Sequence, residues 1–322
     1  MSALLWLDGL LAEFCSSFTG PLREEARRLP FTLGFARDPI TPWSRVFNHE
    51  VPLAAPAMVA EAMPGVPRGA VKHALVGHAL AVIEAMGTDR IEDGQVVPTP
   101  ALCKVLGAAR SLRDEHLVLA ARDEERMLDP AVIDLEFNEA IRLERDLLVG
   151  QQSVDFALYE SLSKRKQVCG ILGVDALAVR AGWDERRRGV LRRVILGAAL
   201  GLQLYDDVVD WEEDAARGRS WVLALVLSQR RAPRPWPEVA DAYEHRARVL
   251  SSGVVARMLR RGRLHFRAAA RRARAVGVVR LGVWCAERAE LIGQLADRES
   301  QSPGFVIRAR ALAPWARTVL QP

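Results

Sequence analysis

The chain has 322 residues, half of them hydrophobic, and a net charge of +5. Such a chain can bury a sizeable core, and its four cysteines are scattered without CxxC spacing, which excludes zinc-finger and disulfide-framework proteins and fits a reducing cytoplasm. No apolar run approaches the ~20 residues that span a bilayer, so we expect a cytoplasmic protein without a transmembrane segment.

Helical periodicity runs through almost the whole sequence, with apolar residues at three- and four-residue spacing and no strand pattern. We therefore predict an all-α fold and a single domain over residues 1–322. The first residues lack a basic n-region and include Asp8 and Glu13, which favours an amphipathic helix over a signal peptide. Proline-rich stretches, such as 231–237, predict breaks between helices.

An apolar helical stretch within residues 78–95 ends in acidic residues. Asp89 and Asp93 are one helical turn apart, and Gly94 then breaks the helix. The pattern predicts two carboxylates on one face of a helix end.

A second apolar stretch leads into "YDDVVD". Asp206 and Asp210 share one face of a helix, while Asp207 projects to one side. Their mutual repulsion is unfavourable unless a cation lies between them, and Mg²⁺ prefers a few hard oxygen ligands completed by water and phosphate oxygens. The pattern indicates a Mg²⁺ site, with an exposed acidic turn as the alternative. Two such helix ends facing an apolar cavity would accept a metal-bridged anion with an apolar tail.

Residues 256–280 contain nine arginines and no acidic residue. The arginines alternate with apolar residues at helical spacing and no nucleic-acid-binding motif accompanies them, so we expect a solvated helix face and no nucleic-acid partner. An anionic ligand and an acidic partner surface are the alternatives.

Residues 60–225 resemble the class I isoprenoid synthases, the all-α family of trans-prenyl diphosphate synthases and class I terpene cyclases. "IEAMGTDRIEDGQ" is similar to the first aspartate-rich motif, with Asp89 and Asp93 in its outer positions and Arg90 in place of the second aspartate. "GLQLYDDVVD" is similar to the second motif. The intervening "GQQSVD" and "YESLSK" resemble the family's Gln-and-Asp helix and its Tyr and Lys, and "WEEDAARGRSW" resembles a stretch of the squalene and phytoene synthase branch.

The resemblance implies a helical bundle around a central active-site cavity, three bound Mg²⁺ ions and a prenyl diphosphate substrate. Asp89, Asp206 and Asp207 would be catalytic. The implied metal ligands are Asp89, Asp93, Asp206, Asp207 and Asp210. The implied diphosphate ligands are Arg90, Lys164, Gln203, Arg217 and Arg219. Aromatic residues near the motifs, each of which also fits an ordinary core position, are expected to shield a carbocation: Phe156, Tyr159, Tyr205 and Trp211.

Two departures from the family pattern bear on the reaction. Residues 94–107 lack the paired arginines with which prenyl-elongating enzymes hold isopentenyl diphosphate, and "PGVPRGA" keeps Arg68 as its only cation. We therefore expect a terpene synthase, a lyase that converts a linear allylic diphosphate to a terpene hydrocarbon or alcohol.

Two alternatives stay open. One is a trans-prenyl diphosphate synthase that grips its acceptor with other residues. The other is a catalytically silent partner subunit, which Arg90 favours and the intact "DDVVD" argues against. Small residues above the first motif, Ala81, Ala85 and Gly87, favour a twenty-carbon substrate over a fifteen-carbon one, and the family's tendency to dimerise makes a homodimer the expected assembly.

Overall fold

The computed structural model describes residues 5–46, 50–150, 152–228, 242–306 and 308. Over these ranges the chain forms fifteen α-helices, one short 3-10 helix and no strand, which confirms the predicted all-α class. The break predicted at 231–237 lies outside the described residues. None of the helices within these ranges has the length and apolarity needed to cross a membrane.

The helices vary from single turns to a helix of 32 residues. The 3-10 helix spans Val168–Ile171. The α-helices, in chain order, are α1 Leu5–Ser16, α2 Gly20–Arg27, α3 Leu29–Thr32, α4 Trp43–Val46, α5 Glu50–Ala60, α6 Arg68–Glu92, α7 Pro100–Ala121, α8 Pro130–Val149, α9 Phe156–Lys166, α10 Leu172–Arg180, α11 Glu185–Ala216, α12 Trp221–Ser228, α13 Ala242–Ser252, α14 Val254–Ala275 and α15 Val279–Gln301.

The chain divides into two compact units. The first comprises Met1–Phe137, Val168–Arg192 and Val276–Leu281. The second comprises Asn138–Gln167, Arg193–Ala275 and Gly282–Pro322. Each unit combines separate stretches of sequence, and the single domain over 1–322 stays a prediction.

In the first unit, glycines allow α6 and α7 to pack closely. A Cβ atom added at Gly77 would lie 2.9 Å from Cγ of Leu117, and one added at Gly87 would lie 2.9 Å from Cδ2 of Leu106. Both distances are too short for real contacts, so larger residues would push the helices apart. This packing fixes the course of α6, whose last turn carries the first acidic pair.

Buried ion pairs also hold the first unit together. Arg113 of α7 is fully buried and donates to both carboxylate oxygens of Asp134, at 2.6 and 2.9 Å, and its Nε donates to Asp114 at 2.7 Å. Asp175 of α10 accepts in the same way from Arg188 and Arg192 at the start of α11. Because removal of one partner would leave a buried charge, these pairs make the helix arrangement specific.

In the second unit, α11 and α14 approach each other at Gly201. A Cβ atom there would lie 2.5 Å from the ring of Phe266, which is fully buried and packs edge-on against Trp284, with ring centroids 5.7 Å apart. The contact lies just before the acidic segment of α11. It therefore fixes the part of the helix from which that segment extends.

Candidate active site

Three aspartates form a stripe along one face of the C-terminal part of α11. Asp206, Asp210 and Asp214 follow one another at four-residue spacing, so each lies one turn beyond the last. Asp206 is exposed, and the other two are half-buried. Asp214 was absent from the predicted site, although its spacing from Asp210 in "DWEED" was the signal that would have identified it.

The stripe concentrates negative charge. Burial raises the pKa of Asp214 to about 7, and the charges of Asp210 and Asp206 add to the effect, while nearby Arg217 lowers it. Carboxylates that raise one another's pKa are stabilised in their ionised form when a cation binds between them. The stripe therefore suits a divalent cation.

Asp207 has a different environment. It is 8% exposed, and both of its oxygens accept hydrogen bonds within the second unit. The Tyr159 hydroxyl donates to Oδ2 at 2.5 Å, and Nε2 of Gln203 donates to Oδ1 at 2.7 Å. Gln167 donates in turn to the Gln203 amide oxygen at 3.2 Å. Asp207, Tyr159 and Gln203, all predicted site residues, thus form one hydrogen-bonded group, in which Asp207 and Tyr159 are buried.

Burial raises the pKa of Asp207 to about 8, with further raising by Asp206 and Glu144 and opposing hydrogen bonds from Tyr159 and Gln203. A carboxyl group in this setting holds its neighbours in place, because breaking either bond would leave a buried polar atom unsatisfied. The geometry therefore favours a positioning role for Asp207.

Tyr159 connects this group to α8 and α12. Its ring is fully buried and meets Trp221 edge-on, with centroids 5.0 Å apart. The Trp221 indole N–H and the Lys166 ammonium both donate to Glu144. Burial raises the pKa of Tyr159 well above its usual value, and the Asp207 charge adds to this, so the hydroxyl stays a hydrogen-bond donor.

The remaining predicted aromatic residues have different environments. Phe156 is half-buried, and the guanidinium of Arg261 lies over its ring at 4.9 Å from the centroid. Tyr205 is half-buried on α11. Trp211 is 2% exposed, and its indole N–H has no hydrogen-bond partner in the described part of the chain. The predicted shielding role of these residues stays a prediction.

The predicted basic ligands of the second unit differ in their contacts. Lys164 is half-buried and has no ion pair among the described residues. Arg217 is exposed and lies 3.8 Å from a carboxylate oxygen of Asp214. Arg219 is half-buried, and its backbone amide donates to the Asp214 carbonyl at 2.8 Å. Arg217 and Arg219 therefore lie directly beyond the acidic stripe.

The first acidic pair lies at the end of α6 in the first unit. Asp89 and Asp93 are half-buried, and the Asp93 amide donates to the Asp89 carbonyl at 2.8 Å as the helix ends. Arg90 donates to the Leu33 carbonyl at 3.0 Å, and its guanidinium lies 4.0 Å from the ring centroid of Phe35. These contacts tie the end of α6 to the segment after α3, and the predicted contact of Arg90 with a diphosphate stays a prediction.

The carboxylates on α11 and those at the end of α6 can be compared with the usual coordination of Mg²⁺. Among the residues that the structure describes, no three His, Cys, Asp or Glu side chains already converge on one metal position. Mg²⁺ usually takes only one or two protein carboxylates, and water and substrate phosphate oxygens complete its octahedron. Carboxylates spaced one turn apart, as on α11 and at the end of α6, are ligands of the type that such coordination uses.

Comparison with known proteins identifies the fold. No protein-family model and no curated protein matches the chain. Its structure matches that of a geranylgeranyl pyrophosphate synthetase from the archaeon Geoglobus acetivorans, with a TM-score of 0.67, 16% sequence identity and coverage of 91% of this chain and 99% of that one. The predicted all-α fold of the isoprenoid synthase type is thereby confirmed, and at this identity the match concerns the fold alone.

Proposed function

We infer that the protein is a Mg²⁺-dependent class I terpene synthase that ionises a linear allylic prenyl diphosphate. The observation that carries this inference is the stripe of Asp206, Asp210 and Asp214, which follow one another at one-turn spacing on one face of α11. Burial, with a further contribution from the charges of Asp210 and Asp206, raises the pKa of Asp214 to about 7. The isoprenoid-synthase fold and the basic residues beside the stripe support it. A twenty-carbon substrate remains a prediction from the small residues above the first motif, and three Mg²⁺ ions and a homodimer remain predictions from the family resemblance.

The carboxylates have distinct proposed roles. Asp206 and Asp210 bind metal on α11, and Asp89 and Asp93 are the second proposed pair of ligands. Asp207 positions the acidic segment through its bonds to Tyr159 and Gln203. When bound, Mg²⁺ would neutralise charge on the diphosphate leaving group.

The basic residues of the second unit assist departure of the diphosphate. The bond between the allylic carbon and the diphosphate oxygen breaks heterolytically, and its electron pair leaves with the diphosphate. Arg217 and Arg219 present guanidinium groups that match phosphate oxygens in a bidentate geometry, and Lys164 adds a compact positive charge. Cations placed where negative charge develops lower the barrier directly.

A prenyl-elongating enzyme is the second candidate. The structural match to a geranylgeranyl pyrophosphate synthetase favours it, because the fold is shared over almost the full length of both chains. The absence of an arginine pair in 94–107 argues against a prenyl-elongating enzyme. Without that pair isopentenyl diphosphate would not be held beside the allylic substrate, and the reaction would lose the rate advantage of proximity, worth several kcal/mol.

Product analysis separates the candidates. The purified protein is incubated with Mg²⁺ and allylic diphosphates of ten to twenty carbons, each with and without isopentenyl diphosphate. Hexane extracts and phosphatase-treated residues are then analysed by mass spectrometry. A hydrocarbon or alcohol formed from the allylic diphosphate alone is the expected result. A longer diphosphate that requires both substrates would identify the elongating enzyme, and absence of any product would favour a silent subunit.

A further inference from the structure

The C-terminal half of α14 carries a row of exposed arginines. Arg267, Arg271 and Arg274 are spaced by four and three residues and therefore share one face of the helix. Among the described residues, none of the three guanidinium groups has an ion pair or a hydrogen bond, and α14 contains no acidic residue. Positive charge on this face is thus not neutralised by the helix itself.

Three arginines of the N-terminal half differ, because their side chains make hydrogen bonds within the second unit. Arg261 donates to Glu160 at 2.5 Å, Arg260 donates to the Ser300 hydroxyl at 2.6 Å, and Arg257 donates to a backbone carbonyl. Contacts within the unit therefore account for Arg257, Arg260 and Arg261, but not for Arg267, Arg271 and Arg274.

A groove between α14 and α15 lies along the unpaired arginines. It has a volume of about 190 Å³, and small side chains from Ala270, Ala286 and Ala289 leave room between the guanidinium groups. The one acidic residue in its lining is Glu290. Guanidinium forks bind phosphate oxygens in a bidentate geometry, so the groove suits a phosphoryl group.

Two exposed apolar side chains lie one turn from the groove-lining residues. Leu264 precedes Arg267 by three residues and is 63% exposed, and Val283 precedes Ala286 by three residues and is 45% exposed. A nucleic acid or a free phosphate ion would contact the arginines but would gain nothing from these side chains. A phospholipid surface offers phosphate and an acyl boundary together.

We propose that this face of α14 and α15 docks on a membrane surface containing acidic phospholipid. Arg267, Arg271 and Arg274 bind lipid phosphates, and Leu264 enters the headgroup region. The surface consists of residues that take no part in the proposed reaction, so the proposal does not depend on the terpene synthase assignment.

Vesicle co-sedimentation tests the proposal. Vesicles of phosphatidylcholine alone are compared with vesicles that contain phosphatidylcholine and phosphatidylglycerol in equal parts. The wild type is expected to bind only the acidic vesicles and to be released by salt. Because each arginine near such a surface contributes ~1 kcal/mol, the triple variant Arg267→Gln, Arg271→Gln, Arg274→Gln should bind about 100-fold more weakly.

A matched variant controls for net charge. Arg142, Arg186 and Arg193 are exposed and also have no ion pair among the described residues, so their replacement by Gln removes the same charge elsewhere. This control should bind acidic vesicles as the wild type does. Equal losses in both triple variants, or equal binding of wild type to both kinds of vesicle, would overturn the proposal.

Leu264→Gln separates a bilayer from other polyanions. The substitution should weaken binding to acidic vesicles while leaving binding to a single-stranded oligonucleotide and to inorganic phosphate unchanged. Circular dichroism confirms that each variant is folded. If Leu264→Gln does not alter vesicle binding and the oligonucleotide competes fully with vesicles, the surface binds polyanions in general and the membrane proposal is wrong.

Discussion

Asp206 and Asp207 of α11 have different environments, so we expect substitutions at the two positions to have different effects. Asp206 is exposed, so its replacement by Asn removes the charge that we propose binds metal, without disturbing the core. We expect Asp206→Asn to lower diphosphate release by about 100-fold or more, equivalent to ~2.7 kcal/mol, with an unchanged melting temperature. Asp297→Asn, at an exposed position on α15, is the control. Turnover at the wild-type rate in Asp206→Asn would remove this residue from the site.

Tyr159 supplies the second residue-scale prediction. Tyr159→Phe deletes the donor to Asp207 and leaves a buried carboxyl oxygen unsatisfied, so the free energy of unfolding should fall by about 1–3 kcal/mol in urea titrations. Because Asp207 then loses its fixed position, the Mg²⁺ concentration for half-maximal activity should rise. Tyr243→Phe, at a side chain that is 87% exposed, should change neither quantity. An unaltered Mg²⁺ dependence in Tyr159→Phe would contradict the positioning role.

Sequence spacing predicted part of this arrangement. Helical geometry placed Asp206 and Asp210 on one face and Asp207 to the side, and α11 has this geometry. The spacing did not predict that Asp207 is buried, because its partner Tyr159 is 48 residues away in the sequence. Contacts of that kind depend on how helices pack, which local periodicity does not specify.

At the scale of elements, α9 is tied to α14 by a charged group. Glu160 accepts from Arg261 at 2.5 Å and lies 3.0 Å from Nε2 of His265. Burial opposes its ionisation, but the hydrogen bonds from His265 and Arg261 outweigh burial and lower the pKa of Glu160 to about 2. The stabilisation is therefore complete above the unfolded value of 4.5 and is lost as the pH falls towards 2.

This linkage predicts a pH-dependent variant. Glu160→Gln should melt at a lower temperature than wild type at pH 7, and the difference should narrow as the pH is lowered from about 4.5 towards 2. Glu139→Gln removes a similar carboxylate from an exposed pair with Arg165 and should have little effect, because exposed pairs contribute about 0–1 kcal/mol. A melting difference for Glu160→Gln that is constant with pH would show that the charge of Glu160 does not stabilise the contact.

The contact between α11 and α14 provides a second prediction at this scale. Gly201→Ala places a methyl group against the fully buried ring of Phe266, and such overpacking costs about 1–3 kcal/mol. The double variant Gly201→Ala, Phe266→Leu should be less destabilised than the sum of the two single variants, as a double-mutant cycle in urea will show. Strict additivity would mean that the two residues are not in contact.

For the whole molecule, helical periodicity and the ordered motifs were enough to predict the fold class. The stretch at 78–95 falls largely within α6, and "GLQLYDDVVD" lies on α11, as expected from their apolar spacing. The division into two units, each built from separate stretches, was not predicted because it arises from long-range contacts. The arginines of 256–280 were expected to form a solvated helix face. Three of them, in the N-terminal half of α14, instead make hydrogen bonds within the second unit, such as that of Arg261 with Glu160.

The most direct test of the proposed activity is release of inorganic diphosphate from an allylic diphosphate supplied alone. Wild-type protein with Mg²⁺ is compared with wild type in EDTA and with the double variant Asp206→Asn, Asp210→Asn, under conditions in which circular dichroism shows all samples to be folded. We predict release that requires Mg²⁺ and that the double variant lacks. Release that persists in EDTA or in the double variant, or no release by the wild type from any allylic diphosphate, would contradict the proposed function.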